Sequence, residues 1–165
     1  MARDAFSKRK ELLTQKMSRS VKKKIVKTVV WSGALYGAET WILREEDVKR
    51  LNALEMWLWR RMEKISWMEK KTNEEVLSIV GERRQLVDII VKRKKNWMGH
   101  VLRGDGMLRE VMEGKMEGKR PRGRPRRGML QELMETSYVD MKRRAEDRAK
   151  WKCWMPRTCR KTEHS

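Results

Sequence analysis

The sequence predicts an all-α fold: an irregular helical bundle with a basic Gly/Pro-rich extended loop and no substantial sheet. Apolar residues recur every three or four positions through nearly the whole chain, the period of a helix with one inward face. No stretch alternates apolar and polar side chains residue by residue, as a half-buried strand would. The breaks in the pattern fall at glycine and proline clusters.

Residues 8–16 read as a polar helix anchored by Leu12 and Leu13. Val21, Ile25, Val29 and Ser32 then follow a period near four, and Val26 and Val30 widen the stripe. Gly33 and Gly37 weaken the end of this helix, where the chain turns. Glu45, Glu46 and Asp47 open the next helix, since carboxylates suit the positive end of the helix dipole. Its inward stripe is Val48, Leu51, Leu54, Leu58, Met62 and Ile65, flanked by Trp57 and Trp59. Thr72 and Glu75 form a capping box, and Gly81 stops the helix after Val76, Leu77 and Val80.

A fourth helix is expected from about residue 84 to 102 or 103. Leu86, Ile90, Trp97 and Val101 face one way, while Arg83, Arg84, Lys92, Arg93, Lys94 and Lys95 crowd the remaining surface. Gly104-Asp105-Gly106 breaks it, and a short amphipathic piece over 107–112 leads into a basic strip. Met129, Leu130, Leu133 and Met134 mark the next helix. Residues 138–154 read as the last, anchored by Met141, Ala145 and Trp151. The expected division is a helical region 1–104, a basic loop 105–128, C-terminal helices 129–154 and a disordered tail 155–165.

The strip is the most informative segment. From Lys115 to Arg127 it holds seven cations (Lys115, Lys119, Arg120, Arg122, Arg124, Arg126, Arg127) and one acid, Glu117. Pro121 and Pro125 fix φ and disfavour helix in the residue before each, so it should be extended and solvated. Such a strip repels itself until a polyanion neutralises it, and a nucleic acid backbone releases counterions on doing so. The plainer alternative is a solvated basic linker.

The bulk composition points the same way. Lys and Arg number 42 against 23 Asp and Glu, a formal charge of +19, which favours a nucleic acid or another anionic partner. Apolar residues make up 39%, so the core should be thin. The first residues do not resemble a signal peptide and no apolar run could span a bilayer, so no membrane partner is expected. Cys153 and Cys159 are too few for a disulfide framework, and a reducing, intracellular and nuclear setting is expected. Thirteen scattered methionines suit irregular core gaps rather than a cofactor box.

Catalysis by this chain alone is not expected, and no cofactor or metal is. The six aspartates are isolated in sequence, where two-metal phosphoryl chemistry needs clustered carboxylates. Glu45-Glu46 and Glu74-Glu75 sit at helix starts, where capping explains them. No Gly-Lys-Ser or Gly-Lys-Thr phosphate loop occurs. His100 should be a buried or half-buried hydrogen-bonding residue. The spacing of Cys153, Cys159 and His164 matches no common zinc module.

Several phrases taken in order carry a resemblance. Trp31-x4-Tyr36-Gly37-Ala38-Glu39-Thr40-Trp41 is followed by Leu51-x3-Glu55-Met56-Trp57-x2-Arg60-Arg61-Met62-x2-Ile65-Ser66-Trp67. Thr72-Asn73-Glu74-Glu75-Val76-Leu77, Trp97-x-Gly99-His100-Val101-Leu102-Arg103 and Glu113-Gly114-Lys115-x2-Gly118-Lys119-Arg120-x-Arg122-Gly123-Arg124-Pro125 come next. Asp147-Arg148-x2-Trp151 closes the series. The succession, over roughly residues 8 to 154, resembles the C-terminal end of the endonuclease–reverse transcriptases of LINE-type (non-LTR) retrotransposons of animals.

The resemblance implies the helical thumb and C-terminal extension of an RNA-directed DNA polymerase. The palm's Tyr-x-Asp-Asp motif and the endonuclease residues are missing, so neither activity carries over, and the palm becomes a partner in the parent protein. What carries over is a grip on RNA, DNA or hybrid duplex during target-primed reverse transcription. Met1 would then be an internal methionine of a longer frame, and the residues from Cys153 onward depart from the family pattern.

Within the motif, Tyr36 and Trp41 around Gly37 either pack into the core, the commoner fate of large aromatics, or stack on a nucleotide. Glu39 is expected to partner a nearby arginine. Trp57 and Trp59 with Arg60 and Arg61 would divide between core and duplex. Trp97, Gly99, His100, Arg103, Asp147, Arg148 and Trp151 are read as structural. The stretch from Pro121 to Arg127 also resembles an AT-hook, whose Arg-Gly-Arg-Pro core enters the narrow A·T minor groove. A small DNA-binding chromatin protein is therefore the second reading, and a remnant without retained function the third.

Overall fold

The structure, a computed structural model, describes residues 2–8, 13, 15–114, 128–134 and 137–154. Every regular element among them is helical, so the chain is all-α. The expected tail 155–165 and nearly all of the basic strip lie outside the described residues, as does Leu12. No helix among the described residues is long and apolar enough to cross a membrane.

The chain divides into two units. The first comprises residues 1–37 and 44–89, the second 38–43 and 90–165. This grouping differs from the division read from the sequence, because the boundary falls within one long helix rather than at the Gly104 break.

In the first unit, α1 (Ala2–Ser7) precedes the stretch where the polar helix was expected, and buries Phe6; Leu13 is also buried. Ser18 accepts a hydrogen bond from the Val21 amide and starts α2 (Arg19–Ile25). A π-helical segment, Val26–Val30, follows and runs into α3 (Trp31–Ala34). Val26 and Val30 are buried as expected, and beyond them the wider turn moves the stripe from Ser32 to Trp31 and Leu35. Val21 is 43% exposed and Ser32 exposed, whereas Val26, Val30, Trp31 and Leu35 are buried. The extra residue in a π turn advances the inward face by one position. The helix passes through Gly33 and ends at a turn where Gly37 takes φ +67°.

α4 (Glu45–Met62) begins as expected: the Asp47 carboxylate accepts from the Arg44 amide. Its deepest residues are Glu55, Met56, Leu58, Trp59 and Met62, with Val48, Leu51 and Leu54 half-buried. Trp31 and Trp59 pack edge to face, 5.9 Å between ring centroids. The capping box opens α5 (Asn73–Val80) reciprocally, Thr72 N to Glu75 Oε2 at 2.7 Å and Glu75 N to Thr72 Oγ1 at 3.2 Å. Gly81 closes it in the left-handed region, φ +66°.

The long helix α6 (Leu86–Arg103) starts on a buried acid. Glu55, fully inaccessible, accepts from the amides of Gln85 (3.0 and 3.2 Å) and Leu86 (3.1 Å). Those are amides that a helix start leaves without an internal partner. Burial pushes the Glu55 carboxyl above its ordinary value, and the two amides offset this only in part.

In the second unit, α7 (Met107–Glu113), α8 (Met129–Leu133), α9 (Tyr138–Glu146) and α10 (Arg148–Cys153) accompany the later part of α6. The single last helix read over 138–154 is two. Asp147 leaves helical geometry and caps α10, accepting from Ala149 N at 2.9 Å and Lys150 N at 3.1 Å. Met98, Leu102, Leu133, Met141, Ala145 and Trp151 form the core cluster. Gly99 allows the close approach expected of it. A Cβ there would lie 2.1 Å from Trp151 Nε1, which instead donates to the Lys95 carbonyl at 3.1 Å.

Glu113 ties α7 to α9. Tyr138 Oη donates to it, Lys142 Nζ lies at 3.0 Å and Arg109 Nε at 3.3 Å. The Tyr138 hydroxyl and the Lys142 ammonium hold its carboxyl down at about 2, against 4.5 ordinarily. Burial, then Glu113 itself, push Tyr138 up to about 12. A depressed acid contributes stability that is complete above its unfolded value and is lost as pH falls through the folded one. The Glu113 contribution should therefore disappear between about pH 4.5 and 2. Thermal unfolding of Glu113→Gln against wild type should differ at pH 6 and converge by pH 2; a gap constant with pH would contradict the assignment.

Candidate nucleic-acid interface

In the first unit, the winding of α2 and the π segment sets Arg19, Lys23, Lys24 and Lys27 along a groove of about 600 Å³, completed by Ser20 and residues 78–82. Lys27 reaches both Glu82 oxygens at 2.9 Å; Lys23 lies 3.5 Å from Glu82 and donates to the Gly81 carbonyl. Burial pushes the Glu82 carboxyl up, but the Lys27 and Lys23 ammonium groups outweigh it and its pKa falls below the ordinary value. Arg19 pairs with Glu63 at 2.9 Å. Lys24 is exposed and forms no ion pair among the described residues. One buried-edge carboxylate thus answers two lysines and leaves the groove cationic.

The sequence reading missed this groove. Its signal was present: the run from Lys22 to Lys24 with Lys27 one turn on lies on a single helix, next to a Gly81 terminus.

Of the candidate phosphate-binding residues, Arg83 is exposed without an ion pair among the described residues, and Arg84 is exposed with Glu74 at 3.5 Å. In the second unit Lys92 and Arg93 are exposed, Arg93 with a contact of its own. Lys94 and Lys95 must be removed from the set. Lys94 is 1% exposed, and its Nζ lies 2.8 Å from Glu132 Oε2, which also accepts from the Leu43 amide at 3.3 Å. Lys95, 4% exposed, donates to the carbonyls of Lys152 and Trp154. Burial pushes its ammonium below the ordinary value. Both positions follow Ile90 and Val91 by four residues and precede Met98 and Gly99 by four, so they fall on the inward face. Lys115, Lys119, Arg120, Arg122, Arg124, Arg126 and Arg127 lie outside the described residues.

The motif residues divide. Trp151 is buried, Trp97 and Trp41 are half-buried, and Arg103 donates to the Ala145 carbonyl at 2.8 Å. The expectations for His100 and Glu39 are corrected, and of the two alternatives for Tyr36 the core is set aside. Tyr36 is 86% exposed, because the turn at Gly37 carries it off the helix face. His100 is exposed, on the side of α6 away from the Met98 and Leu102 stripe. Glu39 is half-buried and pairs with no arginine among the described residues. Arg148 is exposed at the start of α10.

Arg60 is buried at 6%, donating to the Lys71 carbonyl (2.8 Å) and Asn73 Oδ1 (3.1 Å). Arg61 stays exposed, 5.8 Å from the centre of Trp57, which also meets Phe6 edge-on. Among the described residues no three His, Cys, Asp or Glu side chains gather as a metal-binding group.

Compared with models of protein families, with curated proteins and with solved structures, the chain matches none.

The buried Lys94–Glu132 pair is testable. Lys94→Met alone should cost about 3–5 kcal/mol by stranding a buried carboxylate. Adding Glu132→Gln, which keeps an acceptor for Leu43, should recover part of that loss in urea unfolding. Additive losses would refute the pairing.

Proposed function

We propose that this chain is a non-catalytic nucleic-acid-binding fragment, the helical C-terminal part of a LINE-type endonuclease–reverse transcriptase, which grips template–primer duplex or element RNA. One observation carries the reading: 42 Lys and Arg against 23 Asp and Glu leave a net charge of +19. Lys24, Arg83 and Lys92 are exposed without an ion pair among the described residues, and the groove of the first unit stays net positive around Glu82. Family kinship rests on the ordered motif phrases, and the palm would be the partner of this piece within the parent protein.

The Arg122-Gly123-Arg124-Pro125 phrase favours a second reading, an AT-hook-like DNA-binding protein. The two separate in binding assays. A thumb-like grip prefers hybrid or structured duplex and weakens with Lys24→Ala and Arg83→Ala. A hook prefers A·T-rich DNA and fails with Arg122→Ala and Arg124→Ala alone.

Either way, log affinity against log salt should fall with a slope of about −4 to −6, from five to seven phosphate contacts. Fluorescence anisotropy with labelled oligonucleotides over a salt series measures it. A slope near zero removes both readings.

A further inference from the structure

α4 ends in a structure that lifts one tryptophan out of the core. Lys64 takes φ +57° and Lys70 φ +48°, both in the left-handed region that favours glycine. Between them, Ser66 caps a short 3₁₀ turn, Trp67–Glu69: Ser66 N donates to Glu69 Oε1 at 2.8 Å and Met68 N to Ser66 Oγ at 3.3 Å. Left-handed non-glycine residues cost free energy and gather where a side chain must be presented. This turn exposes Trp67, at 75%, and Met68, at 89%, while Trp31, Trp59 and Trp151 are buried.

Trp67 is not bare. The Arg60 guanidinium carbon lies 4.8 Å from its ring centre, held by Lys71 and Asn73. Trp57, Arg60, Arg61, Ile65, Ser66 and Trp67 together line a pocket of about 240 Å³. That is below the roughly 300–1,000 Å³ of sites for drug-sized ligands, and suits one small flat group. The buried Arg60 Nε–H has no acceptor among the described residues.

An exposed indole braced by a guanidinium, beside a second arginine, is the chemistry that stacks nucleobases and holds the adjoining phosphate. A paired duplex hides its base faces; a single strand offers them. We propose that the Trp57–Trp67 pocket is a stacking site for one unpaired base of a single-stranded nucleic acid, with Arg61 on the neighbouring phosphate. This rests on the nucleic-acid reading above and adds to it a local contact with one unpaired nucleotide, beside whatever duplex the chain grips.

Affinities of the full chain are measured by anisotropy for an oligothymidylate, for an oligomer of equal length and charge with abasic sites, and for a duplex. Wild type should bind the abasic strand about 5- to 100-fold more weakly, the range for losing one stacked base. Trp67→Ala should weaken oligothymidylate binding by the same factor, cease to distinguish the abasic strand, and leave the duplex and the salt slope unchanged. Trp67→Phe should retain most of the affinity. Circular dichroism checks that the variants fold. Binding of oligothymidylate by Trp67→Ala equal to wild type, or equal losses on strand and duplex, overturns the stacking site alone. If wild type binds none of the three in dilute salt, the nucleic-acid reading falls with it.

Discussion

Two buried carboxylates hold this chain together. A protein with 42 cations and only 39% apolar residues has little hydrophobic surface to fold around, and its own charge works against compaction. Glu55 meets the first problem in one unit. It offers both oxygens to the amides of Gln85 and Leu86, so the longest cationic helix begins with two of its opening donors satisfied. Hydrogen bonds to a charged group contribute about 1.5–3 kcal/mol each, enough to matter in a thin core. Glu132 does the equivalent in the other unit, joining α8 to α6 through Lys94 and to the Leu43 amide. Each is buried with all its partners in place, the condition under which an internal charge is tolerated.

Internal acceptors also sort the cations. Lys94 goes to a carboxylate inside the fold and Lys95 to two carbonyls; Lys23 and Lys27 share Glu82, and Arg60 goes to a carbonyl and an amide. Cations fixed in this way are structural. Among the candidate residues, Lys24 and Arg83 in the first unit and Lys92 in the second have no internal acid among the described residues, and these are the ones the proposed polyanion would meet. On the proposed reading the net charge calls for a polyanion, and its partition selects which residues would meet it. The same distinction separates Arg60, which braces Trp67, from Arg61, which remains free to meet a ligand.

Much of the fold was legible because its helix boundaries are local chemistry. The acids before Val48, the Thr72 and Glu75 pair, Gly81 and the Gly104 break each act within one turn, and each marks a boundary in the structure. The misreadings have two kinds of cause, local geometry that a fixed period does not carry and one contact distant in sequence. The π turn at Val26–Val30 rotated the inward stripe, which a fixed 3.6-residue period cannot anticipate. Asp147 split the last helix because its side chain prefers to cap. Lys94 and Lys95 looked like part of a charged face because residue type outweighed register; their spacing from Ile90 and Met98 placed them inside. For Tyr36 the habit of aromatics favours the core over an exposed stacking position, yet it stands exposed at the turn that ends at Gly37. Glu132 was not legible at all, since its partners lie 38 and 89 residues away.

Lysine acetylation footprinting read by mass spectrometry, with and without a bound oligonucleotide, tests the partition most directly. The account predicts that Lys94 and Lys95 resist modification in both states. Lys24 and Lys92 should react readily in the free protein and be shielded by the oligonucleotide. Modification of Lys94 at the rate of Lys92, or equal reactivity of Lys24 and Lys92 with and without oligonucleotide, would contradict it.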